Sequence, residues 1–273
     1  MDGQDRHGME SPKAGWAVVL TNSLTFANAV SGLAAILFLV IYPAVPGEWS
    51  PGLVPAATLI FVAYAFDGID GVVARRLGVV GPSGAMLDSL CDVVSFGIAP
   101  AVMLVVVAGS AWPGSALLIA ALLVATIYLL AVIFRLSRFT TAAILPKAAP
   151  PSFPPKGPRV FAGMPSPAAA MILAACALLV VDRHGFAGLE TATLAAPSIV
   201  AAGFVTAILM VSRLPFLDLV NSYLRGLLPR WHLALFAAAV LLIGAAPALV
   251  LLGVAYSILG LSLSWRYRRS SAH

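Results

Sequence analysis

Charge is what this sequence has least of: 10% of its 273 residues are Asp, Glu, Lys or Arg, against roughly 25% in a water-soluble domain. A globule this size with so few charges cannot solvate its surface, so the soluble class is excluded. Disorder is excluded too, because 61% of the chain is hydrophobic and disordered segments need low hydrophobicity. Two cysteines, Cys91 and Cys176, both lie in apolar stretches, which rules out a disulfide framework and a paired-cysteine zinc site. Four scattered histidines offer no ligand cluster. The net charge of +5 comes from basic residues placed between apolar runs, with no basic face for nucleic acid. Anionic lipid at the cytoplasmic leaflet is the expected electrostatic partner.

What the chain has instead is long apolar runs. A hydrocarbon core about 30 Å thick takes about 20 residues per helical crossing. Eight such segments are expected, near 16–42, 53–73, 85–108, 115–134, 162–181, 194–212, 231–244 and 246–263. The last two are short and adjoin at Ala245, so they form either a tight hairpin or one kinked segment; the first is too long for a cleaved signal peptide. With both ends cytoplasmic, fifteen of the sixteen basic residues fall on the inner side, leaving only Arg183 outside, as the positive-inside rule requires. The expected fold is therefore an all-α polytopic membrane protein with about eight transmembrane helices, a six-helix core plus a C-terminal hairpin. By region this means a polar tail over 1–15, a membrane domain over 16–214, a surface helix and hairpin over 215–264, and a basic tail over 265–273. The surface helix is expected from Leu214 to Pro229, and residues 146–158 form a proline-rich cytoplasmic loop that cannot be helical.

Four of the eleven acids, Asp67, Asp70, Asp88 and Asp92, fall within 26 residues. A carboxylate near hydrocarbon costs at least a few kcal/mol, so intramembrane acids are usually functional. Asp67 and Asp70 are three apart, Asp88 and Asp92 four apart, so each pair shares a helical face. Between them Leu77 to Gly84 is rich in Gly and Pro and can fold the two helices back on each other. Facing carboxylates repel unless cations lie between them, and an oxygen-only set selects hard divalent ions, Mg²⁺, Mn²⁺ or Ca²⁺. Two such ions suit phosphoryl transfer. Gly68, Gly71, Ala74 and Gly84 keep side chains off that surface, and Arg75 and Arg76 stand one turn away, placed for a diphosphate.

The run DGIDGVVAR from Asp67 to Arg75, followed by Gly84, Asp88 and Asp92, resembles the CDP-alcohol phosphatidyltransferase family at every fixed position of its signature. The resemblance implies that Asp67, Asp70 and Asp88 ligate Mg²⁺ or Mn²⁺, expected as two ions. Asp92 would complete the metal site and act as general base on the acceptor alcohol. Gly71, Ala74, Arg75 and Gly84 would bind the CDP moiety. In the first segment Thr21 stands where the family often has proline, but Asn22, Thr25 and Asn28 remain, with Thr25 at the nucleotide's edge. The implied reaction is displacement at the lipid-linked phosphorus of a CDP-alcohol, releasing CMP. A homodimer is also implied, and Gly32, Ala34 and Ala35 are small enough for close helix contact.

The stretches from Leu87 to Pro100, Arg135 to Phe139, Phe161 to Ala170 and Met210 to Phe216 look like those of bacterial and archaeal phosphatidylserine synthases. That likeness implies CDP-diacylglycerol and L-serine as substrates, in the inner membrane with the site facing the cytoplasm. Serine carries a carboxylate and needs a cation. Arg135 and Arg138, three apart, can clamp it or hold phosphate, or simply anchor the helix end in the headgroups. Ser95 and Ser166 are either polar contacts or packing residues. Glycerol 3-phosphate, an inositol phosphate or an archaeal-type lipid donor is the nearest alternative. A transporter is more remote, because the halves show no inverted repeat and the later segments no acids, and a non-catalytic scaffold does not explain four aspartates.

Overall fold

A computed structural model describes residues 12–43, 49–111, 114–144, 160–181, 191–217, 240 and 244–270. The elements are α1 (Pro12–Ile41), α2 (Leu53–Leu77), α3 (Pro82–Asp92), a π-helical turn (Val93–Ile98), α4 (Ala99–Ala111), α5 (Ala116–Ile144), β1 (Val160–Ala162), α6 (Ser166–Val181), α7 (Thr191–Val211), β2 (Pro215–Leu217) and α8 (Ala245–Ser270). Among the described residues, four helices are long and apolar enough to cross a membrane, at Gly15–Ile41, Leu53–Leu77, Pro82–Ala111 and Ala116–Ala142, and three shorter apolar helices follow. The chain is thus an integral membrane protein of helical build. The expected seventh segment, the proline-rich loop, most of the N-terminal tail and the surface helix beyond Leu217 lie outside the described residues.

Helix bounds differ from the apolar runs in an orderly way. The fourth run stops at Phe134, yet α5 continues to Ile144, because Arg, Ser and Thr end hydropathy without ending helical geometry. In the same way α8 runs on to Ser270.

α6 is the centre of the bundle and touches α2, α4, the π turn, α5, α7 and α8. Ala169, Ala170, Leu173, Ala174, Ala175 and Ala177 are all buried. A helix apolar all round belongs inside, and its alanines let neighbouring backbones come close. α1 lies along α2 and also touches α3 and the π turn. Gly32 is what permits this, since a Cβ there would collide with Ser95. Gly32 and fully buried Ala35 are therefore spent on packing within the chain rather than offered to a second copy.

The helical build contains one short exception. β1 and β2 pair antiparallel, with Phe161 opposite Phe216, so Ala162 is not helical as expected and Pro215 to Leu217 do not begin a surface helix. The cause is local. Gly163 has φ +89° and faces the carbonyls of Met210 and Ser212 so closely that no Cβ fits, a conformation open only to glycine. Its N–H donates to Leu214 O at 2.8 Å, and that of Met164 to Leu209 O at 3.0 Å. Pro215 is tolerated because this ribbon has only edges.

Candidate metal centre

α2 ends at Gly78, which is left-handed at φ 69°, and α3 begins at Pro82. Left-handed glycine stops a helix and proline suits the first helical turn, so the short link returns the chain at once. The result brings Asp67, Asp70 and Asp88 together, with one carboxylate oxygen of each lying within 4.8 Å of the others. Asp70 is buried, and the other two are half-buried. Like charges at that distance repel by about 3 kcal/mol per pair at an effective dielectric near 20. Asp88 Oδ1 is buried and has no hydrogen-bond partner among the described residues. Three converging carboxylates with an unpartnered buried oxygen fit a hard divalent cation, and the donors are oxygen alone.

Asp92, which sequence spacing groups with the others, is not among the three whose oxygens lie within 4.8 Å of one another, but it is near enough to Asp67 and Asp88 to feel their charge. It is buried, and Asn28 Nδ2 donates to its Oδ1 at 2.9 Å. α1 supplies a second polar partner as well: Thr25 Oγ1 donates to Asp70 Oδ2 at 2.7 Å. Thr25, expected at the nucleotide's edge, thus sits on a carboxylate of the trio. Asn28 was not singled out from the sequence for any role. A usable signal was there, since Thr21, Thr25, Asn28, Gly32 and Ala35 recur at spacings of four and three and mark one face of an otherwise apolar helix.

The π turn follows directly after Asp92 and is tied to the helices around it. Its Ala99 N–H reaches back to Val94 O, Ser95 Oγ donates to Asn28 O at 2.9 Å, and Tyr128 Oη donates to Phe96 O at 2.9 Å. π turns free carbonyls that need outside donors and often occur at functional sites. Asn28 therefore meets the chain twice, by its side chain at Asp92 and by its carbonyl at Ser95.

A Cβ at Gly68 or Gly84 would meet nothing within 4 Å, so open space lies before both. At Gly71 a Cβ would come within 3.2 Å of Arg75 Nη1, so Arg75 folds back over the glycine one turn earlier. Ala74 is half-buried beside it.

The two α5 arginines part company. Arg135 Nη1 donates to Ser166 Oγ at 3.0 Å and is the cation felt by Asp67 and Asp92. Arg138 lies over the Phe134 ring, 5.8 Å from its centroid. A guanidinium on an exposed ring gains about 0.5–1 kcal/mol, which favours this placement along its own helix.

The Thr25 contact makes a direct expectation. Thr25→Val keeps the shape and removes the donor to Asp70, and loss of a hydrogen bond to a metal-ligating carboxylate typically weakens metal affinity or activity by roughly 10- to 100-fold. An activation curve in Mn²⁺ should shift to higher concentration by that factor, and an unshifted curve would disconnect Thr25 from the metal centre.

Comparison with known proteins adds to this geometry. The family model for CDP-alcohol phosphatidyltransferase matches residues 18–216. A CDP-diacylglycerol–serine O-phosphatidyltransferase of Mycobacterium leprae is 34% identical over 230 residues, covering 82% of this chain and 67% of that protein. One of Methanocaldococcus jannaschii is 33% identical over 156 residues, 57% of this chain and 59% of its own length. An archaetidylserine synthase of Methanothermobacter thermautotrophicus is 31% identical over 158 residues, 57% and 56% respectively. The chain thus spans between about half and two thirds of these relatives' lengths.

Proposed function

The chain belongs to the CDP-alcohol phosphatidyltransferase family, and from that premise we propose that it transfers the phosphatidyl group of CDP-diacylglycerol to the hydroxyl of L-serine, releasing CMP. The observation that carries this reading is the convergence of Asp67, Asp70 and Asp88 within 4.8 Å, beside a fourth carboxylate, Asp92, held separately by Asn28. In this arrangement Asp92 can complete the metal site and also take a proton.

Asp67, Asp70 and Asp88, with Asp92 completing the set, would hold two divalent ions, Mg²⁺ or Mn²⁺, whose chemistry is to neutralise the diphosphate and the departing phosphate of CMP. Gly71, Ala74, Arg75 and Gly84 receive the CDP moiety, with the open space before Gly84 leaving room for it. Asn28 takes Asp92 Oδ1, which lets Oδ2 face the serine hydroxyl and accept its proton. The hydroxyl oxygen forms a bond to the phosphorus bearing diacylglycerol, and the bond from that phosphorus to CMP breaks. Arg135 takes the serine carboxylate, while Arg138 stays on Phe134.

The same reading has eight spans with both termini and the site on the cytoplasmic side of the inner membrane, a catalytic membrane domain over 16–214 followed by a C-terminal hairpin, and a homodimer. The test is acceptor choice. In membranes supplied with CDP-diacylglycerol, labelled serine should enter lipid, whereas labelled glycerol 3-phosphate and inositol phosphate should not. Preference for either of those alcohols would overturn the serine assignment. The archaetidylserine synthase relative makes an archaeal-type donor the second reading, separated by offering both CDP-lipids with serine.

A further inference from the structure

Ser95 lies in the π turn, three residues after Asp92, and is fully buried. A buried serine on a helix commonly donates to the carbonyl four residues back, as Ser31, Ser89 and Ser110 do here to Ala27, Ala85 and Val106. Ser95 instead donates across to Asn28 O on α1, at 2.9 Å. Asp92 and Ser95 thus take hold of one residue at two points, its side-chain amide and its backbone carbonyl. Gly32, one turn further along α1, permits the approach, because a Cβ there would collide with the Oγ and Cα of Ser95.

The amide of Asn28 has no second support. Its Oδ1 is buried and meets no hydrogen-bond partner among the described residues, so the side chain is held at Nδ2 alone. A single hydrogen bond leaves an amide free to swing about it. The aim of Nδ2 at Asp92 therefore depends on where the backbone of α1 is fixed, and at this residue Ser95 fixes it.

We propose that Ser95 is a positioning residue for Asp92, acting through Asn28: it pins α1 so that Nδ2 holds one carboxylate oxygen and leaves the other for the acceptor hydroxyl. This deepens the reading of Asp92 as general base and rests on it. Ser95→Ala keeps the packing against Gly32 and removes only the donor. In full-length protein in detergent micelles with CDP-diacylglycerol and serine, kcat for CMP release should fall roughly 3- to 10-fold, the scale of one hydrogen bond, with KM for CDP-diacylglycerol unchanged. In an Asn28→Ala background the same substitution should leave kcat where Asn28→Ala alone puts it, because nothing then passes the contact on to Asp92. Its loss of thermal stability should instead be equal in both backgrounds, since residue 28 keeps its carbonyl. Gly32→Ala, which drives the two helices apart and touches neither side chain's hydrogen-bonding group, should lower kcat at least as far as Ser95→Ala. Unchanged kcat in Ser95→Ala or Gly32→Ala, or an equal fall with and without the Asn28 side chain, overturns the inference and leaves Asp92 as the base. Wild-type turnover in Asp92→Asn overturns the base reading and takes this inference with it.

Discussion

Replacing Asp92 with Asn should abolish CMP release while leaving CDP-diacylglycerol binding intact. The substitution is nearly isosteric, and the carbonyl oxygen of the new amide can still accept from Asn28 Nδ2 as Asp92 Oδ1 does at 2.9 Å. Packing around the buried position is therefore preserved. What is lost is the second oxygen's ability to take a proton, since an amide nitrogen has no free lone pair for it. A positioned general base is worth roughly 10²- to 10⁴-fold, and a serine hydroxyl, a poor nucleophile at neutral pH, depends on it fully. Asp67, Asp70 and Asp88 still converge to gather charge, so binding of the CDP-lipid should hold within a few fold. Labelled CMP release and equilibrium binding of CDP-diacylglycerol, measured on one preparation, separate the two effects. Turnover at the wild-type rate would remove Asp92 from the role of base.

The second large effect concerns the trio, and it can be read without turnover. Chelation should stop the reaction, with Mg²⁺ or Mn²⁺ restoring it, but the sharper expectation is for stability. A metal at 100 times its Kd stabilises the folded protein by about 2.7 kcal/mol, which for a chain of this size is on the order of 5–10 °C in Tm. Asp88→Asn should change the sign of the comparison. Without metal the variant should unfold at a higher temperature than wild type, because one of three mutually repelling carboxylates has become neutral. With Mn²⁺ the order should reverse, because the buried, unpartnered Asp88 Oδ1 no longer belongs to an anion. Thermal unfolding in detergent, with chelator and with Mn²⁺, tests both halves. Equal metal responses in the two proteins would take the cation away from Asp88.

Much of this site was legible because charge is scarce. In a chain with eleven acids, four within one window at spacings of three and four can be assigned to helical faces by arithmetic alone. Arithmetic could not supply the partner of Asp92, Asn28, which lies 64 residues away in sequence, or the change of helical winding just after Asp92. The ribbon was hidden for a similar reason. Val160 to Ala162 and Pro215 to Leu217 are each three residues long, too short for an alternating pattern, and meet only because α6 and α7 lie between them. Arg135 and Arg138 look equivalent by spacing, yet one turns to Ser166 and the other to its own Phe134. Partners of that kind come from packing.

The π turn has one more consequence. A turn that closes on the fifth residue carries one residue more than an α-turn, and one residue is about 100° of rotation. Side chains from Ala99 onward therefore stand about 100° away from where a face extended from Asp88 and Asp92 would put them. Helix Pro82–Ala111 is a single rod in outline but two wheels in register, one ending at Asp92 and the other starting at Ala99. A scan of this helix drawn on one wheel would place the buried face of the second half about 100° from where it lies.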